Sequence, residues 1–105
     1  MIDNVRHIVV LGAGESGTGA ALLAKKQGIG VFVSDSQSIP DSFKAELNSN
    51  DIDFEERQHT TTEILKANLV IKSPGIPQDT AILQTVREAA IPIIAEIEFA
   101  NYFTT

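Results

Sequence analysis

The sequence predicts an α/β fold of three layers, a five-stranded parallel sheet with helices on both of its faces. Three observations predict it. Short runs of apolar and β-branched residues alternate five times with segments of helical periodicity. The first and fourth runs are apolar at nearly every position, as strands buried on both faces must be. The 105 residues are 43% hydrophobic and only 21% charged, which suits a folded core and excludes a disordered chain. Parallel strands require right-handed crossovers. No internal repeat, low-complexity tract or linker interrupts the pattern, so residues 1–105 read as one domain.

The elements follow in order. His7-Ile8-Val9-Val10-Leu11, ending at Gly12, reads as a buried strand. Ser16 to Gln27 reads as a helix with Ala20, Leu23 and Ala24 on its core face. Lys25 and Lys26 suit the negative end of that helix's dipole, and Gly28 suits its cap. Gly30 to Ser34 is a second strand. Pro40 and Asp41 suit the first turn of a helix that buries Phe43 and Leu47, four apart on one face. Ile52 and Phe54 alternate with acids, the pattern of a half-exposed edge strand. Thr60-Thr61-Thr62-Glu63 has the spacing of a capping box before a short helix carrying Ile64 and Leu65. Asn68 to Ile71 is a fourth strand, ending in the turn Ser73-Pro74-Gly75-Ile76-Pro77. Asp79 is expected to cap a helix bearing Ile82, Leu83 and Val86. Ile91 to Ile94 forms the last strand and Glu96 to Phe103 the last helix.

Composition narrows the function. With no cysteine there is no disulfide, thiolate metal site or cysteine nucleophile. The net charge of −6, with basic residues scattered, argues against a nucleic-acid surface. Met1 to Arg6 holds no signal-peptide core and no apolar stretch is long enough to span a bilayer, so a cytoplasmic location is expected. An anion would have to be held by local backbone dipoles instead of the overall field.

Gly12-Ala13-Gly14-Glu15-Ser16-Gly17 fits G-x-G-x-x-G between the first strand and the first helix. Gly12 permits the tight turn, Gly14 lets a phosphate approach the backbone, and Gly17 lets helix pack on strand. The amides of Glu15, Ser16 and Gly17 point out of the helix start, where the dipole amounts to about half a positive charge. The Glu15 carboxylate would repel a phosphate, so only its amide is expected to serve. Asp35 ends the second strand, where such folds place an acid on ribose hydroxyls. Its alternative is a turn aspartate that bonds its own backbone in Ser34-Asp35-Ser36. Together these features predict a nucleotide-phosphate site without identifying the nucleotide.

Other polar residues carry less. His7 at a strand start and His59 in a loop read as solvated or structural. Glu96 and Glu98 point in different directions on a helix, so they do not form a working carboxylate pair. No histidine, cysteine and carboxylate spacing suggests a metal. No Gly-Lys-Ser/Thr phosphate loop is present, so ATP binding for phosphoryl transfer is not expected here.

Four segments resemble successive signatures of the Mur ligase family, most closely its MurD type. They are Val10 to Gly17, Val33-Ser34-Asp35, Lys72-Ser73-Pro74-Gly75-Ile76-Pro77, and Ile93-Ile94-Ala95-Glu96-Ile97-Glu98-Phe99. The resemblance covers nearly the whole chain. The Ser73 to Pro77 turn separates it from ordinary dehydrogenases, and the Glu-Ile-Glu-Phe segment points toward the MurD type. It implies a Rossmann-like N-terminal domain that holds the UDP part of UDP-N-acetylmuramoyl-L-alanine for a ligase that adds D-glutamate in peptidoglycan synthesis. By position, the amides of Glu15 and Ser16 would hold the pyrophosphate. Asp35, Ser36 and Gln37 would meet the uracil, and Gly75, in the Ser73 turn, would lie along the nucleotide. Relatives can carry a basic residue where this chain has Gln37. The resemblance also implies that ATP and Mg2+ belong to a central domain beyond Thr105, that the amino acid comes from a C-terminal domain, and that this piece alone is inactive. A nicotinamide-binding domain of an oxidoreductase and a nucleotide-sensing regulatory module are the rival readings.

Overall fold

A computed structural model describes residues 4–77 and 79–103. The first three residues of the Met1 to Arg6 stretch, Gln78, and the last two residues before the expected domain boundary therefore lie outside the described residues. Among the described residues five strands and five helices alternate: β1 (His7–Leu11), α1 (Glu15–Lys26), β2 (Gly30–Ser34), α2 (Asp41–Ser49), β3 (Asp53–Glu55), α3 (Thr61–Ile64), β4 (Leu69–Lys72), α4 (Ala81–Glu88), β5 (Ile93–Ala95) and α5 (Glu96–Asn101). All pairings are parallel, in the order β3-β2-β1-β4-β5. The predicted class is what forms.

Side-chain alternation along β1 explains the layers. Ile8 and Val10 face one side of the sheet and pack with Ala20, Ala24, Leu47 and Phe99 of α1, α2 and α5. Val9 and Leu11 face the other side and pack with Ile64, Ile82, Leu83 and Val86 of α3 and α4. The central strand is fully buried on both faces, which is why its sequence lacks the polar alternation of an exposed sheet. Burial of each such aliphatic side chain contributes about 1.5–3 kcal/mol. β3 lies at the edge, as its acids foretell, with Ile52 and the half-buried Phe54 turned inward.

α1 ends as its sequence predicts. Gly28 has φ +79°, its amide donates to the Lys25 carbonyl, and the Ile29 amide donates to Ala24, which closes the last turn. Other boundaries shift by a residue or two. Asn68 precedes β4 because its side-chain oxygen accepts the Arg6 and His7 amides at 2.9 and 3.0 Å. β5 starts at Ile93, since Pro92 offers the ladder only its carbonyl, bonded by the Val70 amide at 2.9 Å.

Two expected caps do not form. Thr60 makes no side-chain cap to α3. Its hydroxyl and amide are both given to the Glu55 carboxylate of β3, while Glu63 pairs with Lys66. A carboxylate from the neighbouring strand outcompetes the local box for the same groups. α4 starts after Thr80, not Asp79, and Thr80 turns its hydroxyl back to the Pro77 carbonyl. At α5 Glu98 does reach back to the Ala95 amide at 3.0 Å, although Ala95 has no side-chain acceptor to complete a box.

Candidate functional site

The strand order places β1 between β2 and β4, so the chain leaves β1 and β4 on opposite sides of one crevice at the C-terminal sheet edge. That switch point is where open α/β sheets bind ligands. The glycine loop forms its floor. Gly12 has φ +100°, donates its amide to the Ser34 carbonyl at 2.9 Å, and lies so near β4's turn that a Cβ would stand 2.8 Å from the Ser73 Cβ. A side chain at Gly17 would overlap the Gly12 carbonyl, so this glycine sets the close seat of α1 on the loop. Gly14 differs from both. Its φ of −77° suits any residue and nothing lies within 4 Å of a would-be Cβ. The fold leaves it without a reason to be glycine.

Gly14 is also the N-cap of α1 and supplies no side chain, so the first-turn amides have no capping acceptor from it. These donors and the helix dipole favour an anion there.

A cleft of about 340 Å³ opens beside this loop. It gathers seven of the ten residues singled out from sequence: Gly12, Gly14, Asp35, Ser36, Gln37, Ser73 and Gly75. The other three stand apart from it. Gly17 is buried under the loop, and Glu15 and Ser16 are exposed at the start of α1. The Ser16 side chain lies near the Glu96 carboxylate, along a separate groove between α1 and α5.

Asp35 takes the structural alternative at least in part. Its Oδ2 accepts the Ala13 amide at 2.8 Å and its Oδ1 accepts the Gln37 amide at 2.9 Å. One carboxylate thus ties the glycine loop to the loop after β2 and closes the turn around Ser36. Expected from its position to meet a ligand, Asp35 acts first as a brace between two loops that would hold one. The Asp35 and Gln37 carbonyls in turn accept the Gln58 and Arg57 amides, at 3.2 and 3.1 Å. Arg57 adopts φ +60° to do so.

The loop after β3 brings in a residue the sequence did not mark for the site. His59 lines the cleft, as do Ile76, Pro77 and Thr80. Its Nδ1 lies 2.6 Å from the Ser34 hydroxyl, which also donates to Glu55 Oε2 at 2.7 Å. Burial lowers the His59 pKa from the usual 6.5 against the opposing pull of Glu55 and Asp35, which favours the neutral ring. Burial acts to raise Glu55, but the Thr60 amide and hydroxyl with the Ser34 hydroxyl hold its carboxyl below the usual range. The one sequence signal for His59 was its place: every loop leaving a C-terminal strand end of such a sheet can reach the crevice.

Glu96 and Glu98 are divided as expected, one turned toward Ser16 and the other capping α5. Burial raises the Glu96 pKa, opposed by Ser16 and the Lys72 charge, and its Oε2 is buried without a hydrogen bond. Among the described residues no group of three His, Asp or Glu side chains is placed to hold a metal ion, and no helix is long and apolar enough to cross a membrane.

Residues 6–95 match the family described as Mur ligase MurD-like, N-terminal domain. The chain is 52% identical over 100 residues to a UDP-N-acetylmuramoylalanine--D-glutamate ligase of Bacteroides fragilis, covering 95% of this chain and 22% of that protein. It is 53% identical over 104 residues to the protein of the same name from Porphyromonas gingivalis, covering 98% of this chain and 23% of the other. Among solved structures, a murein peptide ligase from Psychrobacter arcticus superposes with a TM-score of 0.83 at 20% identity, over 93% of this chain and 20% of that one. This last likeness shows the fold. The chain thus spans about a fifth of the length of the relatives it matches.

Proposed function

The chain belongs to the family of MurD-like N-terminal domains of Mur ligases, and from that membership we propose that it holds the uridine diphosphate part of UDP-N-acetylmuramoyl-L-alanine. The parent reaction on this reading joins D-glutamate to the muramoyl-alanine carboxyl group at the expense of ATP. ATP and Mg2+ belong to a central domain outside this chain, and the amino acid to a third domain. The domain binds the handle of the substrate and performs no bond-forming step by itself.

One observation supports this reading most. Gly14 and Gly75 line the same cleft, have no positive φ, and have open space where a Cβ would stand. Glycine costs a fold backbone entropy. Where the fold draws no benefit, a ligand that approaches the backbone closely supplies the reason. In the proposed pose the diphosphate takes the amides of Glu15 and Ser16. Asp35, Ser36 and Gln37 flank the uracil, with Gln37 contributing a neutral contact. Ser73 and Gly75 run along the nucleotide. Membership in this family removes the support that a bare glycine motif lent to a nicotinamide oxidoreductase or a sensor module.

The test is an amide chemical-shift titration of this chain with UDP, UDP-N-acetylmuramoyl-alanine and NADH. The two uridine ligands should shift Gly14, Ser16, Asp35 and Gly75. Gly14→Val should weaken UDP binding by at least about tenfold, because its side chain fills the phosphate's approach. Shifts from NADH alone, or unchanged UDP affinity in the Gly14 variant, would overturn the reading.

A further inference from the structure

At the end of β2 one hydroxyl meets three polar groups. The Ser34 side chain is fully buried, with Oγ 2.7 Å from Glu55 Oε2, 3.2 Å from the Gln58 carbonyl and 2.6 Å from His59 Nδ1. A serine hydroxyl has a single proton to give. An ionised carboxylate only accepts, and Glu55 is held ionised by the amide and hydroxyl of Thr60. The proton between Ser34 and Glu55 must then come from Ser34. With that proton spent, the short contact to His59 requires the imidazole to donate from Nδ1 into Oγ. A neutral ring protonated at Nδ1 carries a lone pair at Nε2. No hydrogen bond to that nitrogen is made among the described residues, and His59 lines the cleft.

A bare acceptor nitrogen repels phosphate oxygens, which carry no proton to share. It marks a place for a ligand group that donates. On a uridine diphosphate the donors are the N3–H of the base and the ribose hydroxyls. Ile76 and Pro77 line the same cleft as His59. Their apolar surfaces suit the flat base better than a hydroxylated sugar.

We infer that Glu55 and Ser34 lock the tautomer of His59, and that His59 Nε2 accepts the uracil N3–H, making His59 a specificity-determining residue that rejects cytosine. Cytosine would set its own N3 lone pair against that of the histidine. Glu55 and Ser34 are positioning residues in this scheme. It rests on the uridine-binding reading above and adds the base selection to it.

Two measurements test it on the intact chain. The ¹⁵N shifts of the His59 ring at pH 7.5 should show a protonated Nδ1 and an unprotonated Nε2, and Ser34→Ala should release a mixture of both tautomers. Protonation at Nε2 in the unaltered protein overturns the inference. UDP, CDP and 2′-deoxy-UDP are then titrated into the unaltered protein and into His59→Phe. The preference for UDP over CDP should fall by about tenfold in the variant, the size of one lost hydrogen bond at a buried donor. The preference for UDP over its deoxy form should stay unchanged. An unaltered UDP/CDP ratio, or a loss confined to the deoxy comparison, overturns the inference while leaving uridine binding intact. Absence of UDP binding in the unaltered protein fells both readings together.

Discussion

The two walls of the cleft are made in different ways. On the β2 side, three loops are laced to one another by Asp35 to Ala13 and Gln37, by Gln58 to Asp35, and by Arg57 to Gln37. All but the Asp35–Gln37 bond join residues distant in sequence. On the β4 side, the described hydrogen bonds of residues 73–77 and 79–80 are mostly local. The Ile76 amide bonds the Ser73 carbonyl and the Thr80 amide bonds Pro77, each at three residues' separation, with Ser73 anchored to Leu11 at 3.1 Å. The first wall is braced by hydrogen bonds between loops, and the described hydrogen bonds of the second are mostly local, with Ile76 packed on the core beneath. A ligand meeting both finds two walls braced in different ways.

Substitutions can break that contrast. The largest effect is expected at Gly17, beneath the first wall. Even a methyl group there overlaps the Gly12 carbonyl, a backbone atom that cannot swing aside. Gly17→Ala should therefore cost about 3 kcal/mol, the upper range for overpacking a closed site. Chemical denaturation reads it, and a loss under about 1 kcal/mol would mean that loop and helix separate easily.

Next comes Asp35→Ala, which takes the acceptor from two backbone amides at once. The Ala13 residue is fully buried, so its amide cannot turn to water without opening the loop. A loss of about 2 kcal/mol is expected for the stranded donors. Ala13 and Gln37 amide exchange should accelerate together. If only Gln37 responds, the brace between the two loops is not what holds the first wall.

The same contrast explains how far the sequence could be read. The β4 turn was legible because Ser-Pro-Gly-Ile-Pro carries its conformation locally, and β1 with its glycines was legible because motif and strand adjoin. Strand and helix identities followed from periodicity, with ends displaced where a side chain such as Asn68 captured the amides that would have extended the ladder. What escaped was the lacing. Thr60 has the spacing of a capping box, yet its groups go to Glu55, which becomes its neighbour only once β3 and α3 are placed. Asp35 reads as a ribose ligand ahead of a turn former until Ala13 lies 2.8 Å away. His59 looks like a loop residue until the sheet order sets it beside Ser34. The Asp35 and His59 contacts depend on register between strands, and register is a property of the pairing and not of any one segment.

The smallest effect, and the sharpest for the comparison, belongs to Gly75 in the second wall. Its backbone has no positive φ and a Cβ there meets nothing within 4 Å. Alanine should fit without strain and should restrict the unfolded chain more than the folded one. Stability is expected to rise slightly, by about 0.5 kcal/mol. The same methyl group projects from a residue that lines the cleft, so UDP binding should weaken while the fold gains. Melting temperature and a UDP titration on the one variant separate the two effects. A gain in stability with unchanged affinity would free the second wall from the ligand. A loss of stability would show that Gly75, like Gly17, serves the fold, and the difference between the walls would vanish.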